Sequence, residues 1–564
     1  MVPFCQPIEE QPSWRMFGVV TAAGFFLFLV YYHLFGYGFP NPDTFDYAQI
    51  AREIVRGNGF STKQIIHFQN LIFLKQKGLL ESSWPSVFRF PLPSLIIALF
   101  FIIFGCSEFS AMSAGGACYA LTGGMLFLIA TKVLRSKSRA LAAAFGYLLT
   151  DRILDYAVSN SYSDSTIFPF SFTFLLLVCF WLMAREKPRP GTFIFLGIAG
   201  GMCCLNRGNF IFALPVVAVA VVGDRRFRVP RPILLCFAGF TLTVSPWWVR
   251  NWVIAGHPLF NMYNYFFAPF GIHATWDLWD LSLAWNRELV GPLAFIRQDP
   301  GLFLKHCLSA FSRNLHFLPG LFGIPALSAG FLFRLILWKR ARTSNPRFGL
   351  LLALGGLQLI LSAIQDFFER HYLFLAPLVI LFGFQGVWLA LDSGRLRASI
   401  KTGIVIVLIF LNWTPFRLFA PGNRPVSPTV MRFIHRAENA DMKYLRRRLS
   451  PGTVVMSDAS WLVAWGGDLR SIRLFLPPDS VDEVQSDYLP VGAVYFSPRL
   501  LLIARPGFYQ SYLGWIRNGK YQERFYLDQK FDDGALLLVR KGPRPGPNRV
   551  PEPPDVVRGN ANSR

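Results

Sequence analysis

Residues 91–139 read PLPSLIIALFFIIFGCSEFSAMSAGGACYALTGGMLFLIATKVLRSKSR, and the number of membrane crossings in this stretch sets the architecture of the whole chain. A spanning helix needs about 20 apolar residues. Phe109–Thr131 supplies them, whereas the apolar run from Pro91 to Gly105 is shorter and opens on Pro91 and Pro93. Basic clusters give the second constraint: KVLRSKSR from Lys132, REKPR from Arg185, DRRFRVPR from Asp224, KRARTSNPR from Lys339, and Arg395–Lys401. The positive-inside rule places all five in the cytoplasm. Counting both halves of 91–139 as spans would put the first cluster outside. Pro91–Gly105 is therefore expected to be a re-entrant or juxtamembrane helix.

Working outward, Met16–Gly36 reads as an uncleaved first span, because it lacks a small-residue cleavage site. Two apolar runs lie between Arg139 and Arg185, parted by the polar stretch Ser159–Ser165. Two more precede Arg225, broken at Asn206-Arg207-Gly208-Asn209. Pro232–Ala255 exits to a long outer loop, Gly256–Leu318, before the chain returns to the Lys339 cluster. The pair Phe348–Ile364 and Tyr372–Leu391 follows, then Gly403–Phe419. The expected fold is a polytopic all-α membrane protein of about 11 transmembrane helices with a small extracytoplasmic α/β C-terminal domain. Residues 1–15 form a cytoplasmic N-terminus, and residues 16–420 the membrane domain, with outer loops 37–108 and 256–318. Residues 421–541 form the soluble domain and 542–564 a disordered, Pro- and Gly-rich tail. Within the soluble domain a basic helix runs from Asp441 to Leu449. Strands are expected at Thr453–Met456, Ile472–Leu476, Ala493–Ser497 and Ala535–Val539.

Composition agrees: 53% of the 564 residues are hydrophobic and 16% charged, against about 25% charged in a soluble chain. The net charge of +23 lies in loops and tail rather than on a basic, aromatic platform, so nucleic acid is not an expected partner. The eight cysteines contain no CxxC pair and sit mostly in apolar runs, as small core residues do.

Charged groups in membrane segments mark function, and here they gather at outer helix ends: Asp151, Arg152, Asp155, Asp164, Arg207, Arg250, Asp366, Glu369, Arg370 and His371. Ion-coupled transporters place theirs at the midplane, so a transporter is disfavoured. Arg207, Arg250 and Arg370, with Arg89 in the first loop, oppose the positive-inside trend. A shared anion, such as a lipid-linked phosphate, accounts for them together; snorkelling and local ion pairs account for any one of them. The first loop opens NPDTFDYAQIAREIVRGNGF from Asn41. Pro42 and Asp43 start an amphipathic helix with Phe45, Ala48, Ile54 and Val55 on one face, ended by Gly57 and Gly59. Asp43 and Asp46 have the spacing of a helix N-cap and its capping-box partner; the same pair is a candidate for catalysis.

This segment resembles the first outer loop of the GT-C glycosyltransferases of the protein O-mannosyltransferase and lipid A aminoarabinose-transferase type. The likeness lies in Asp43, Tyr47, Ile50-Ala51, Gly57 and Gly59-Phe60, and continues in order through RFPLPSLIIALFFIIFG from Arg89, SPWWVRNWVIAGHPLF from Ser245 and ERHYLFLAPLVILF from Glu369. It covers residues 16–420. The resemblance implies inverting transfer of a sugar from a polyprenyl-phosphate donor to an acceptor hydroxyl or phosphate, with one carboxylate as general base and cations to neutralise the leaving phosphate. It assigns Asp43 as base, with Asp46 as second choice. Arg370, His371, Arg89, Arg207 and Arg250 are assigned to the lipid phosphate, with Tyr47 and Tyr372 beside the substrate. Arg370 matches best, although His371 intervenes before Tyr372. No cofactor is implied, and Asp43-x-x-Asp46 is not a metal motif. The expected partners are the lipid-linked sugar, membrane lipids and a lipid, glycan or protein acceptor, at a bacterial inner membrane. A flippase for lipid-linked sugars and a non-enzymatic envelope assembly protein are the alternatives.

Overall fold

The computed structural model describes residues 13–541 other than 37, 40–41, 82–83, 160–165, 185–187, 214–229, 263–295, 322–329, 331–355, 358–359, 361–368, 394–395, 413–427, 476–477 and 499–505. Among the described residues, four helices are long and apolar enough to cross a membrane: Trp14–Phe35, Glu108–Leu134, Arg231–Ala255 and Tyr372–Asp392. Shorter apolar helices stand at Pro91–Phe104, Phe168–Leu182, Pro190–Asn206 and Ala398–Ile409. The expected span Phe348–Ile364 and the tail 542–564 fall largely or wholly outside the described residues.

In chain order the first nine helices are α1 (Trp14–Phe35), α2 (Pro42–Val55), α3 (Phe68–Gln76), α4 (Pro91–Phe104), α5 (Glu108–Leu134), α6 (Lys137–Leu148), α7 (Asp151–Ser159), α8 (Phe168–Ala184) and α9 (Pro190–Asn206). Then come α10 (Pro230–Ala255), α11 (Pro300–Leu321), α12 (Ala376–Ser393), α13 (Ala398–Asn412), α14 (Pro428–Arg448), α15 (Ser460–Trp465) and α16 (Pro506–Arg517). Local chemistry explains the boundaries. Ser107 caps α5 by accepting from the Ser110 amide at 3.1 Å, with Glu108 in the first turn favoured by the helix dipole. Helix α4 has 14 residues, about 21 Å at ~1.5 Å per residue, short of a ~30 Å bilayer core. It packs on α2 and α5. Helices α9 and α10 meet backbone to backbone: a Cβ on Gly197 would fall 1.9 Å from the Cys236 carbonyl oxygen, and small residues at such crossings are what permit it.

Two expectations are revised. The stretch drawn as the outer loop Gly256–Leu318 carries most of the 22-residue helix α11, which runs on to Leu321. The basic helix expected at Asp441–Leu449 is the end of a 21-residue helix, α14.

The C-terminal part carries a six-stranded sheet in the order β2-β5-β4-β6-β8-β7. Its strands are β4 (Val454–Ser457), β5 (Arg470–Arg473), β6 (Val491–Phe496), β7 (Phe525–Lys530) and β8 (Leu536–Arg540), joined by β2 (Gln64–Ile65) from the first loop. A separate two-stranded ribbon pairs β1 (Ser61–Thr62) with β3 (Trp84–Pro85). Strand β2 runs parallel to β5, Gln64 opposite Ser471 and Ile65 opposite Ile472. Side chains alternate between two cores, as a pleated sheet requires. Val454, Met456, Ile472, Val494 and Leu538 pack with Phe68, Leu71 and Leu74 of α3 and with Tyr512 and Trp515 of α16. Val455, Ala493, Tyr495 and Leu537 belong to a core shared with α14, α15, α1 and α5. Neither β2 nor β7 was expected, and the sheet is completed only by loop residues more than 400 positions away.

Candidate functional site

Helix α2 begins with Pro42, whose fixed φ suits the first helical position, and Gly57 (φ 82) and Gly59 (φ 66) turn the chain away from its end. The amphipathic pattern predicts one buried face. Instead residues 44–53 are all buried, enclosed by α4, α15 and β1. Its buried polar side chains therefore need partners. Gln49 Oε1 accepts from Thr62 Oγ1 at 2.9 Å and from the Lys63 amide at 3.1 Å, which ties the helix to the following ribbon.

At the other end, Arg89 bridges both loop acids. Its Nη2 donates to Asp43 Oδ1 at 2.5 Å and its Nε to Asp46 Oδ2 at 2.6 Å. The guanidinium carbon lies 4.9 Å over the Tyr47 ring and 4.8 Å over Phe88. The two acids differ in access: the Asp43 side chain is 20% exposed and that of Asp46 6%. Burial pushes the Asp46 carboxyl up from its usual range, with Arg89 opposing it. Burial works against the Arg89 charge, but Asp43 and Asp46 outweigh it and hold the guanidinium firmly protonated.

Of the other sequence candidates, Arg250 and the Arg207–Gly208 step adjoin the segment that carries Arg89. Gly208, just after Arg207, abuts Phe90 so closely that a Cβ there would lie 2.6 Å from the ring. Arg207 is 9% exposed, at the end of α9, and lies 4.8 Å over Phe168. Phe168 in turn packs at 5.1 Å on Phe374, in the 3-10 segment Glu369–Leu375. Tyr372 is fully buried there; the side chains of Arg370 and His371 lie outside the described residues. Arg250 donates to the carbonyls of Ser86 at 2.7 Å and Phe60 at 3.0 Å, and to Asn251 Oδ1 at 3.2 Å. Its guanidinium thus braces the 60–86 ribbon. Asp43, Asp46, Tyr47 and Arg89 form one contact group, and Arg250 and Gly208, the neighbour of Arg207, touch the segment carrying Arg89 at Ser86 and Phe90.

Two neighbours have no signal in the sequence. The His67 ring packs 4.9 Å from Phe88. Burial, with the charges of Arg473 and Arg89, drives its imidazole well below its usual value and keeps it neutral. Arg473, buried on β5, comes from the far end of the chain. Among the described residues, no three His, Cys, Asp or Glu side chains are grouped to hold a metal ion.

Known proteins resemble this chain in sequence and in fold. Residues 86–249 match the family model described as dolichyl-phosphate-mannose-protein mannosyltransferase. An undecaprenyl phosphate-alpha-4-amino-4-deoxy-L-arabinose arabinosyl transferase from Edwardsiella ictaluri is 26% identical over 236 residues, 41% of this chain and 39% of that one. Its counterpart from Yersinia enterocolitica is 27% identical over 153 residues, 26% of this chain and 27% of that one. The chain thus matches well under half the length of these relatives. In three dimensions it is similar to ArnT from Cupriavidus metallidurans bound to undecaprenyl phosphate, with TM-score 0.52, 14% identity, and 94% of this chain and 99% of that one covered. It is also similar to the Archaeoglobus fulgidus oligosaccharyltransferase, with TM-score 0.53, 13% identity and coverage of 92% and 73%.

Proposed function

We propose, for a chain whose fold and matched segments are those of the GT-C glycosyltransferases, that it is a membrane glycosyltransferase acting on a polyprenyl-phosphate-linked sugar. The observation that carries the reading is the Arg89 bridge between two unequally exposed carboxylates. Asp43, the more open of the two, accepts the proton of an acceptor hydroxyl or phosphate as that oxygen attacks the anomeric carbon. The bond from that carbon to the phosphate oxygen breaks, and the polyprenyl phosphate leaves with the electron pair. Inversion at the anomeric carbon follows from this single displacement. Asp46, the more buried, anchors Arg89, so the Asp43 carboxylate keeps one orientation.

The leaving phosphate needs cations. Arg370, His371 and Arg207 meet it in this reading, and Arg250 holds the ribbon beneath. Arginine carries five N–H donors; the two acids engage two of those on Arg89, and in this reading others serve the phosphate. Tyr47 and Tyr372 line the substrate, and no general acid is needed because the leaving group is already an anion. The architecture has eleven spans at a bacterial inner membrane, with the N-terminus cytoplasmic and the active site and C-terminal domain on the outer side. The acceptor is a lipid, glycan or protein. A transfer assay in membranes, with mixed labelled polyprenyl-phosphate sugars, tests the reading. Loss of transfer by a hundredfold or more in Asp43→Asn at normal expression is expected; equal rates in wild type, Asp43→Asn and Asp46→Asn would reduce both acids to helix caps.

A further inference from the structure

The rear of α2 is fastened to the C-terminal sheet through one carboxylate. Arg56 donates to both oxygens of Asp468, at 2.8 and 3.1 Å. Lys63 Nζ donates to Asp468 Oδ1 at 2.7 Å and to its carbonyl at 3.1 Å, and Arg52 Nη2 lies 3.2 Å from Oδ1. Arg52, itself buried, also donates to the carbonyls of Ala464 and Trp465 at 2.7 Å each. These belong to the end of α15, where free carbonyls carry partial negative charge. Its guanidinium lies 4.7 Å over the Trp465 ring. Asp468 holds a left-handed φ of 55, a conformation that persists in a non-glycine residue only where its surroundings enforce it. Immediately beyond Lys63 the chain enters β2 and pairs with β5, the strand that follows Asp468.

The front of the same helix carries Asp43, Asp46 and Tyr47. Arg52 stands nine residues after Asp43, about 14 Å along a helix rising ~1.5 Å per residue. With residues 44–53 buried throughout, α2 turns as a rod: a change of angle at Arg52 is delivered to the carboxylates. We propose that Asp468, acting through Arg52, Arg56 and Lys63, is a positioning residue for glycosyl transfer, and that the C-terminal domain is part of the catalytic unit. The inference rests on the glycosyl-transfer reading of the Asp43–Arg89–Asp46 group. Catalysis is sensitive to such placement, since about 1 Å of error at the reacting groups costs on the order of a hundredfold.

The test uses the full-length protein in lipid nanodiscs, comparing wild type, Asp468→Asn and Asp468→Glu. Asparagine tolerates the left-handed backbone, so that variant removes the charge without straining the turn. The expected result for Asp468→Asn is a kcat at least tenfold lower, with KM for the lipid donor within threefold of wild type. Amide exchange over residues 43–50 should rise, and Asp468→Glu should restore most of both. An unchanged kcat, or a lower kcat with unchanged exchange over 43–50, overturns the proposal. If Asp468→Asn does not purify as folded protein, the half-exposed Arg56→Gln is read by the same two measurements. Exchange is scored whatever the enzyme transfers. Absence of transfer in wild type would therefore count against the glycosyl-transfer reading, while the exchange data alone would decide the clamp.

Discussion

Arg89 shows how one side chain sets the chemistry around it. A planar fork reaches two carboxylates three residues apart on a helix, at 2.5 and 2.6 Å, whereas a lysine presents a single compact charge. Arg89→Lys is therefore expected to lower kcat by roughly tenfold to a hundredfold, checked by steady-state transfer kinetics. Arg89→Met goes further, leaving the buried Asp46 carboxylate without its cation, and is expected to cost about 3 kcal/mol, seen as a lower unfolding midpoint in detergent. At this scale the sequence was half informative. Asp43, Asp46 and Arg89 stand out because a helix start, a paired-acid spacing and an outer-face arginine are local signals. That Arg89 joins the two acids, or that Arg250 braces carbonyls at positions 60 and 86, depends on contacts between residues 43 to 190 positions apart. His67 and Arg473 were invisible for the same reason.

Among the elements, α2 was legible because Pro42, Gly57 and Gly59 punctuate it. Its burial on all sides was not, since the enclosing α15 comes from the other end of the chain. Strand β2 has two residues, too few for any alternation to register. Two glycines separate backbone freedom from space. Gly57 has φ 82 with nothing within 4 Å of a built Cβ, so Gly57→Val should cost about 1–2 kcal/mol through the left-handed backbone alone, measured by thermal unfolding. Gly208 has no such φ, but its Cβ would strike Phe90. Gly208→Ala should therefore shift the segment bearing Arg89 and depress transfer more than it depresses the unfolding midpoint.

Across the whole molecule, the first loop and the C-terminal sheet share cores, so the C-terminal part is not detachable. Deleting residues 428–564 should expose α3 and β2 and yield protein that aggregates on size-exclusion chromatography and is rapidly cut by protease between residues 60 and 90. Two partly buried carboxyls give the unit opposite pH responses. Burial would raise Asp468, but hydrogen bonds from Arg56 and Lys63 and the charge of Arg52 hold it at about 2. Its stabilisation is complete above the unfolded value of ~3.9 and is lost as pH falls toward 2. Burial raises Asp458 to about 6 despite hydrogen bonds from Ser497, with Glu438 adding to the rise and Arg473 nearby. Its contribution is full below ~3.9 and lost as pH climbs through 6. Asp458→Asn should flatten the unfolding midpoint between pH 4 and 6, read by thermal scans across that range. The strand that the first loop lends to the sheet also has a consequence for biogenesis. Gln64 meets Ser460 across 396 residues of chain, so at about 5–20 residues per second the loop waits roughly 20–80 s after its own synthesis before its partner strand exists. Throughout that interval α3 carries an uncovered apolar face and β2 an unpaired edge, the two features that expose a nascent chain to aggregation.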